Sequence, residues 1–245
     1  CPKGVRWRKR RDTRKPLRLW FRAMWYVVSQ KQGVSALGLQ RVLGLSRYET
    51  TWIWLHKLRT AMVRPGRDRL SGTVQVDETY IGGERSGKCG RGAAGKTLVV
   101  IAVEDQGKHV GRIRLLRVPD ASAVSLSFAV QEMIQPGSVV NTDGWAGYAT
   151  LGTKGYIHEE VRPIAEVGEN LLPLAHWVSA LLKRWLGGTH QGAVRPSHLD
   201  YYLDEFTFRF NRRTSRSRGK LFYRLMQQTV QVGPVMGDDV RGGKR

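Results

Sequence analysis

Cysteine is scarce: Cys1 and Cys89 are the only two among 245 residues. Two thiols cannot furnish a four-cysteine zinc site, and no disulfide framework can be built from them. Acidic residues are also few, 20 Asp and Glu against 41 Lys and Arg, which gives a formal charge of +21. No apolar run approaches the roughly 18 residues of a membrane span. The first 18 residues are basic and lack the apolar segment of a secretory signal. A soluble, cytoplasmic protein without a membrane partner is expected. The chain opens on Cys1 rather than Met, which reads as a fragment or processed chain with an upstream segment missing.

What is present is a globular composition, 41% hydrophobic and 25% charged, enough for one large domain or two smaller ones. So large a positive excess resists compaction unless an anion neutralises it. Nucleic acid is the usual partner, because each phosphate contact releases counterions. A merely solvated basic surface is the bland alternative.

Residues 1–18 (CPKGVRWRKRRDTRKPLR) read as a basic arm that either contacts phosphates or is a disordered tail. Residues 19–62 read as helical. Leu19 to Val28 is apolar and aromatic, and Gly33 breaks the pattern. Ser35 can cap a short helix through Val42, which a turn at Leu43-Gly44-Leu45 ends. Ser46 and Glu49 have the spacing of a capping box for a longer helix, with Tyr48, Trp52, Leu55 and Met62 as its apolar repeat. A short helix, a turn and a longer helix describe a helix-turn-helix, whose second helix would present Arg47, Thr50, Thr51, Trp54 and Lys57 on its open face. An ordinary helical hairpin is the competing reading.

Residues 63–72 form a turn-rich linker, and 73–230 a second domain. Thr73–Val76, Lys96–Val103, Val110–Val118 and Ser138–Thr142 read as strands. Helices are expected over Ser122–Ile134, Pro173–Leu186, about 197–212 and about 219–230, followed by a basic tail over 231–245. Three strands, a helix, a strand and further helices predict an α/β domain with a mixed sheet.

Two apolar strands end in an aspartate beside glycine-containing loops: Asp77 in VQVDETYIGG and Asp143 in NTDGWAGY. Carboxylates from neighbouring strands make a hard oxygen site for Mg2+ or Mn2+, the ions of two-metal phosphoryl transfer; each Asp alone could equally cap a turn. In LLPLAHWVSALLKRWLGG, Leu174, Trp177, Val178, Leu181, Leu182 and Trp185 form a helical stripe. His176 and Lys183 lie beside it, seven residues or about 10 Å apart on one face. His176 could approach the metals while Lys183, with its neighbour Arg184, holds DNA phosphate. A packed surface histidine is the alternative.

VQVDETYIGG, NTDGWAGY, HWVSALLKRWLGGTHQG and YYLDEFTFRFNRR, in that order, resemble the ISXO-type insertion-sequence transposases of the DDE superfamily. KPLRLWF and SALGLQRVLGLSRYETTWIWLHKLR are similar to that family's N-terminal region, so the resemblance runs from about Pro16 to Val230. It implies a ribonuclease H-like domain with Asp77 and Asp143 as the first two metal carboxylates. The third position in such enzymes is Glu, Asn or His with a Lys two turns later, which here are His176 and Lys183. Hard cations prefer oxygen to imidazole, so Glu205 of YYLDEFTFRFNRR stands as the substitute acid, although Glu205 and Arg209 also make an ordinary i, i+4 pair. The family often begins with a cysteine zinc ribbon. CPKG keeps at most one cysteine of it, and no structural zinc is expected.

The resemblance further implies double-stranded DNA as partner, both the element's terminal inverted repeats and the target. It also implies a homo-oligomer on DNA and a place at the bacterial nucleoid. The activity expected is hydrolysis at element ends followed by strand transfer. A degenerate DNA-binding regulator and a simple nuclease on the same fold are the alternatives. Gly90 to Thr97 matches G-x-x-x-x-G-K-[ST], but a strand rather than a helix should follow, so no nucleotide cofactor is expected.

Overall fold

The computed structural model describes residues 15–82, 96–161, 172–192 and 194–243. Two compact units are present, one built from Cys1–Pro65 with Arg216–Arg245, the other from Gly66–Ser215. Of the basic arm expected over 1–18, residues 1–14 lie outside the described residues and Leu17 and Arg18 already belong to a helix; both cysteines and the glycine-rich loop up to residue 95 also lie outside them.

The first unit is helical. Helix α1 (Leu17–Ser29), α2 (Ala36–Leu43) and α3 (Tyr48–Ala61) are joined by α7 (Arg218–Gln231) and α8 (Gly237–Arg241) from the far end of the chain. Ser35 caps α2 as its sequence predicts, its Oγ accepting from Gly38 N at 3.0 Å. Gly44 ends that helix in the left-handed region, φ +64°, which a side chain would resist. The capping box at α3 does not form. Arg47 is the N-cap without a side-chain bond, and Glu49 instead pairs with Arg241 at 2.6 Å.

The sequence reading extended the second domain to residue 230, whereas α7 belongs to the helical unit. Phe222 meets the edges of Phe21 and Trp25, Leu221 and Leu225 are buried, and Gln228 donates to the carbonyl of Met62. An isolated amphipathic helix finds its partner by apolar face, not by chain order.

The second unit is a five-stranded sheet in the order β3-β2-β1-β4-β5. Its strands are β1 (Thr73–Ile81), β2 (Thr97–Asp105), β3 (Val110–Val118), β4 (Val139–Thr142) and β5 (Ile157–Glu160). The first three are antiparallel, while β4 pairs parallel with β1 and with β5. Side chains alternate across a strand, so Val74 and Val76 enter the core on one face with Val100, Val140 and α4 (Ala123–Met133). The opposite core holds Val99, Ile101 and Val103, covered by α5 (Pro173–Gly188) and α6 (Leu199–Phe210). Helices on both faces of this mixed sheet make the α/β domain that the pattern predicts, ribonuclease H-like as the resemblance implies. β5 was not foreseen: Ile157-His158-Glu159-Glu160 is an edge strand with one apolar residue, and that residue is exposed.

Candidate active site

Asp77 lies in the middle of β1 rather than at its end. The ladder with β2 continues past it, from Asp77 opposite Ile101 to Ile81 opposite Thr97. On its other side, β1 pairs with β4 only from Thr73–Val139 to Gln75–Asn141. Carrying that parallel register forward two residues brings Asp77 level with Asp143, on the same face because both steps are even. Asp77 is therefore fixed by one ladder and released from the other.

Asp143 is exposed where β4 ends, its Oδ1 accepting from Trp145 N at 3.0 Å. The following Gly144 turns the chain at φ +76°. Trp145 donates its indole N–H to Ala121 O, which ties the loop to the start of α4. A Cβ at Gly147 would lie 2.7 Å from Leu126, so the motif needs glycine there for close packing. Tyr148, fully buried, donates its hydroxyl to Glu78 Oε2 at 2.8 Å. Burial first, then the charges of Glu78, Asp77 and Asp143, push that phenol well above its ordinary range.

His176 reaches the site from α5, with Nε2 3.3 Å from Asp77 Oδ2. The buried stripe of α5 differs from the expected one. It is Ala175, Val178, Ser179, Leu182 and Leu186, with Leu174, Leu181 and Trp185 flanking it, whereas Trp177 is 45% exposed. Small Ala175 and Ser179 face the sheet because polar side chains of β1 fill the space beneath them: Gln75 accepts from the Leu174 and Ala175 N–H groups, and Ser179 Oγ donates to Thr79 Oγ1. Counting large apolar residues alone missed this. Lys183 and Arg184 are exposed, two turns beyond His176.

Glu205 is not brought to the aspartates. It lies on α6, which packs on β3, and β3 stands two strands from β1. Its side chain is fully buried and bound by Arg209 at 2.7 and 2.9 Å.

Electrostatics make Asp77 the unusual group. Burial, then the adjacent charge of Glu78, push its carboxyl up from 3.8 to about 6, with Asp143 adding to the rise. The Glu78 N–H, at 2.8 Å from Oδ1, and His176 oppose this only in part. Among the described residues no three of His, Cys, Asp and Glu stand close enough to cage an ion as they are. The donor set nevertheless suits a divalent cation: two carboxylates level on one face, an imidazole nitrogen beside the first, and negative charge in excess.

In the helical unit the open face of α3 is narrower than expected. Arg47 is exposed, and Thr50 and Lys57 are half-buried. Thr51 and Trp54 are buried, contrary to the sequence reading. Trp54 stacks on Trp20 of α1 at 3.9 Å, and Thr51 Oγ1 donates to the Arg47 carbonyl. The buried face, Thr51, Trp54, Leu55, Leu58 and Met62, is turned from the predicted repeat, with α2, α7 and α8 packed on α3 and Trp20 of α1 stacked on Trp54.

A mixed sheet in the order 3-2-1-4-5 with helices on both faces defines a ribonuclease H-like domain of the kind that transposases carry. Residues 69–211, more than half of the chain, match the ISXO2-like transposase domain, and the chain belongs to that family. Transposition is thus the class of function, and DNA the substrate. No curated protein matches the chain. No helix among the described residues is long and apolar enough to cross a membrane.

Proposed function

We propose that this chain cuts phosphodiester bonds at the ends of a mobile element and joins them to target DNA, at the face formed by Asp77, Asp143 and His176. The observation that carries this is His176 Nε2 3.3 Å from Asp77, beside a β1–β4 register which, carried two residues past Gln75–Asn141, sets Asp143 level with Asp77. Asp77, Asp143 and His176 would hold Mg2+ or Mn2+, which when bound supplies activation of the attacking oxygen and stabilisation of the leaving oxygen. The chain's own work is positional. β1 carries Asp77, the Trp145 N–H holds the Asp143 carboxylate just past β4, α5 presents the imidazole, and Tyr148 holds Glu78 on the opposite face. Lys183 and Arg184, exposed along the same helix, are suited to DNA phosphate.

Mn2+-dependent nicking and joining of DNA carrying the element's ends tests this reading. His176→Ala abolishes cleavage while leaving DNA binding in place. His176→Glu keeps part of the activity and shifts its preference from Mn2+ toward Mg2+, because carboxylate is the harder ligand. Full cleavage by His176→Ala removes that residue from the site. A second reading, a DNA-binding protein that has lost its chemistry, draws support from His176 standing where hard cations prefer an oxygen ligand. It predicts binding without nicking at any Mn2+ concentration.

The element's ends are recognised by α2 and α3 as a helix-turn-helix, with Arg47, Thr50 and Lys57 on the reading face. Replacing Arg47 and Lys57 together by Ala weakens binding and reduces its salt dependence by about one to two phosphate contacts. Titration at several salt concentrations measures both. An unchanged slope assigns DNA contact to another surface. The active unit is a homo-oligomer on DNA, which sedimentation with end-containing duplex tests.

A further inference from the structure

Helix α5 carries no capping side chain of its own: Leu172 is its N-cap, and Pro173 opens the first turn. The free N–H groups of that turn are normally met by a Ser, Thr, Asp or Asn at the N-cap. Here the acceptor comes from the sheet. Gln75 Oε1 accepts from Leu174 N at 3.0 Å and from Ala175 N at 3.4 Å. The amide cannot be turned the other way, because its Nε2 donates to the Asp105 carboxylate at 3.3 Å.

Gln75, Asp77 and Thr79 are successive residues on one face of β1. Their partners on α5 fall in the same order: the N–H groups of Leu174 and Ala175, then His176, then Ser179. Gln75 and Thr79 are buried, as is Ser179, while His176 is half exposed. The outer two rungs are thus dry hydrogen bonds and the central rung is the wet Asp77–His176 contact. A helix held at two points along a strand has its rotation and its advance both fixed.

We infer that Gln75 is a positioning residue that caps α5 from the strand bearing Asp77, and so sets His176 against that aspartate. This rests on the proposed metal reading of Asp77 and His176. A cap built into the helix's own sequence would stabilise α5 without specifying where it lies. A cap borrowed from β1 exists only when α5 sits in the register that brings His176 to Asp77.

The test uses the whole chain. Gln75→Met keeps length and removes the acceptor; Gln75→Glu made together with Asp105→Asn keeps an acceptor oxygen at the same reach and keeps a donor between the two side chains. Two quantities are read: the 15N resonances of the His176 imidazole in metal-free protein, and Mn2+ affinity by calorimetry. Gln75→Met is expected to move the His176 resonances to where Asp77→Asn puts them, and to weaken Mn2+ binding by about 10- to 100-fold, the usual effect of losing a ligand's support. The Gln75→Glu, Asp105→Asn pair restores both. In a His176→Ala background the Gln75→Met loss disappears. Unmoved His176 resonances in Gln75→Met, or an affinity loss that persists in His176→Ala, overturns the inference. If parent and Asp77→Asn bind Mn2+ equally, the metal reading falls instead, and the His176 resonances in metal-free protein still decide the role of Gln75.

Discussion

Replacing Asp77 by Asn is expected to stabilise the metal-free protein at neutral pH and to abolish metal-dependent cleavage. Burial and the neighbouring charge of Glu78 hold the Asp77 carboxyl at about 6, above its ordinary 3.8. A folded-state value above the unfolded one means that the folded chain binds this proton more tightly. That contribution is intact below about pH 4 and is lost as pH rises through about 6. At ~1.4 kcal/mol per tenfold change, the carboxylate at pH 7 costs the fold about 3 kcal/mol. A neutral amide of the same shape avoids that cost. Urea denaturation of parent and variant should therefore agree near pH 4 and separate by about 2–3 kcal/mol at pH 7, with Asn the more stable. Saturating Mn2+ should close the gap by stabilising only the parent. Equal stability at both pH values would show that Asp77 carries no stored repulsion for a cation to relieve.

Removing the guanidinium of Arg209 should have the opposite sign. Glu205 is fully buried, and Arg209, 14% exposed, binds its Oε1 through two nitrogens. Stripping one partner from a buried pair leaves an uncompensated charge in the core, so Arg209→Ala is expected to cost about 3–5 kcal/mol. Converting both residues to Leu should recover most of this, since apolar packing also removes the need for the pair. Denaturant midpoints of the three variants measure it. Glu205→Gln should leave Mn2+ affinity unchanged. Metal affinity that fell with Glu205 would return that residue to the site, despite its place on α6 over the outer strand.

The sequence was most legible where one period dominates. The apolar run of β2 and the alternation of β3 have one solution each, and both strands lie where they were expected. The two aspartates stood out because each follows an apolar strand in a glycine-containing motif. Their mutual placement was not visible in the chain, because the offset between β1 and β4 is a property of pairing. The polarity of Asp77-Glu78-Thr79 hid the continuation of β1, which the apolar β2 alongside imposes. Thr51 and Trp54 were misplaced for a related reason. Fourteen helical residues can present several faces, and the neighbouring helices α2, α7 and α8, with Trp20 of α1, decide which is covered. Gln75, Glu78 and Tyr148 carried no signal, since a buried amide, acid or phenol declares itself only through its partner across the fold.

The return of α7 to the helices of the chain's beginning sets an order in time. At a translation rate of about 5–20 residues per second, α1, α2 and α3 emerge on the order of ten seconds before the helix whose Phe222 meets Phe21 and Trp25 exists. The whole sheet domain is synthesised in the interval and can fold as it appears. The helical unit must wait. A chain stopped between Ser215 and Arg218 would carry a finished sheet domain and an unfinished helical unit with an aromatic face open to chaperone or protease. Completion of that unit thus reports that the polypeptide has been read through to α7.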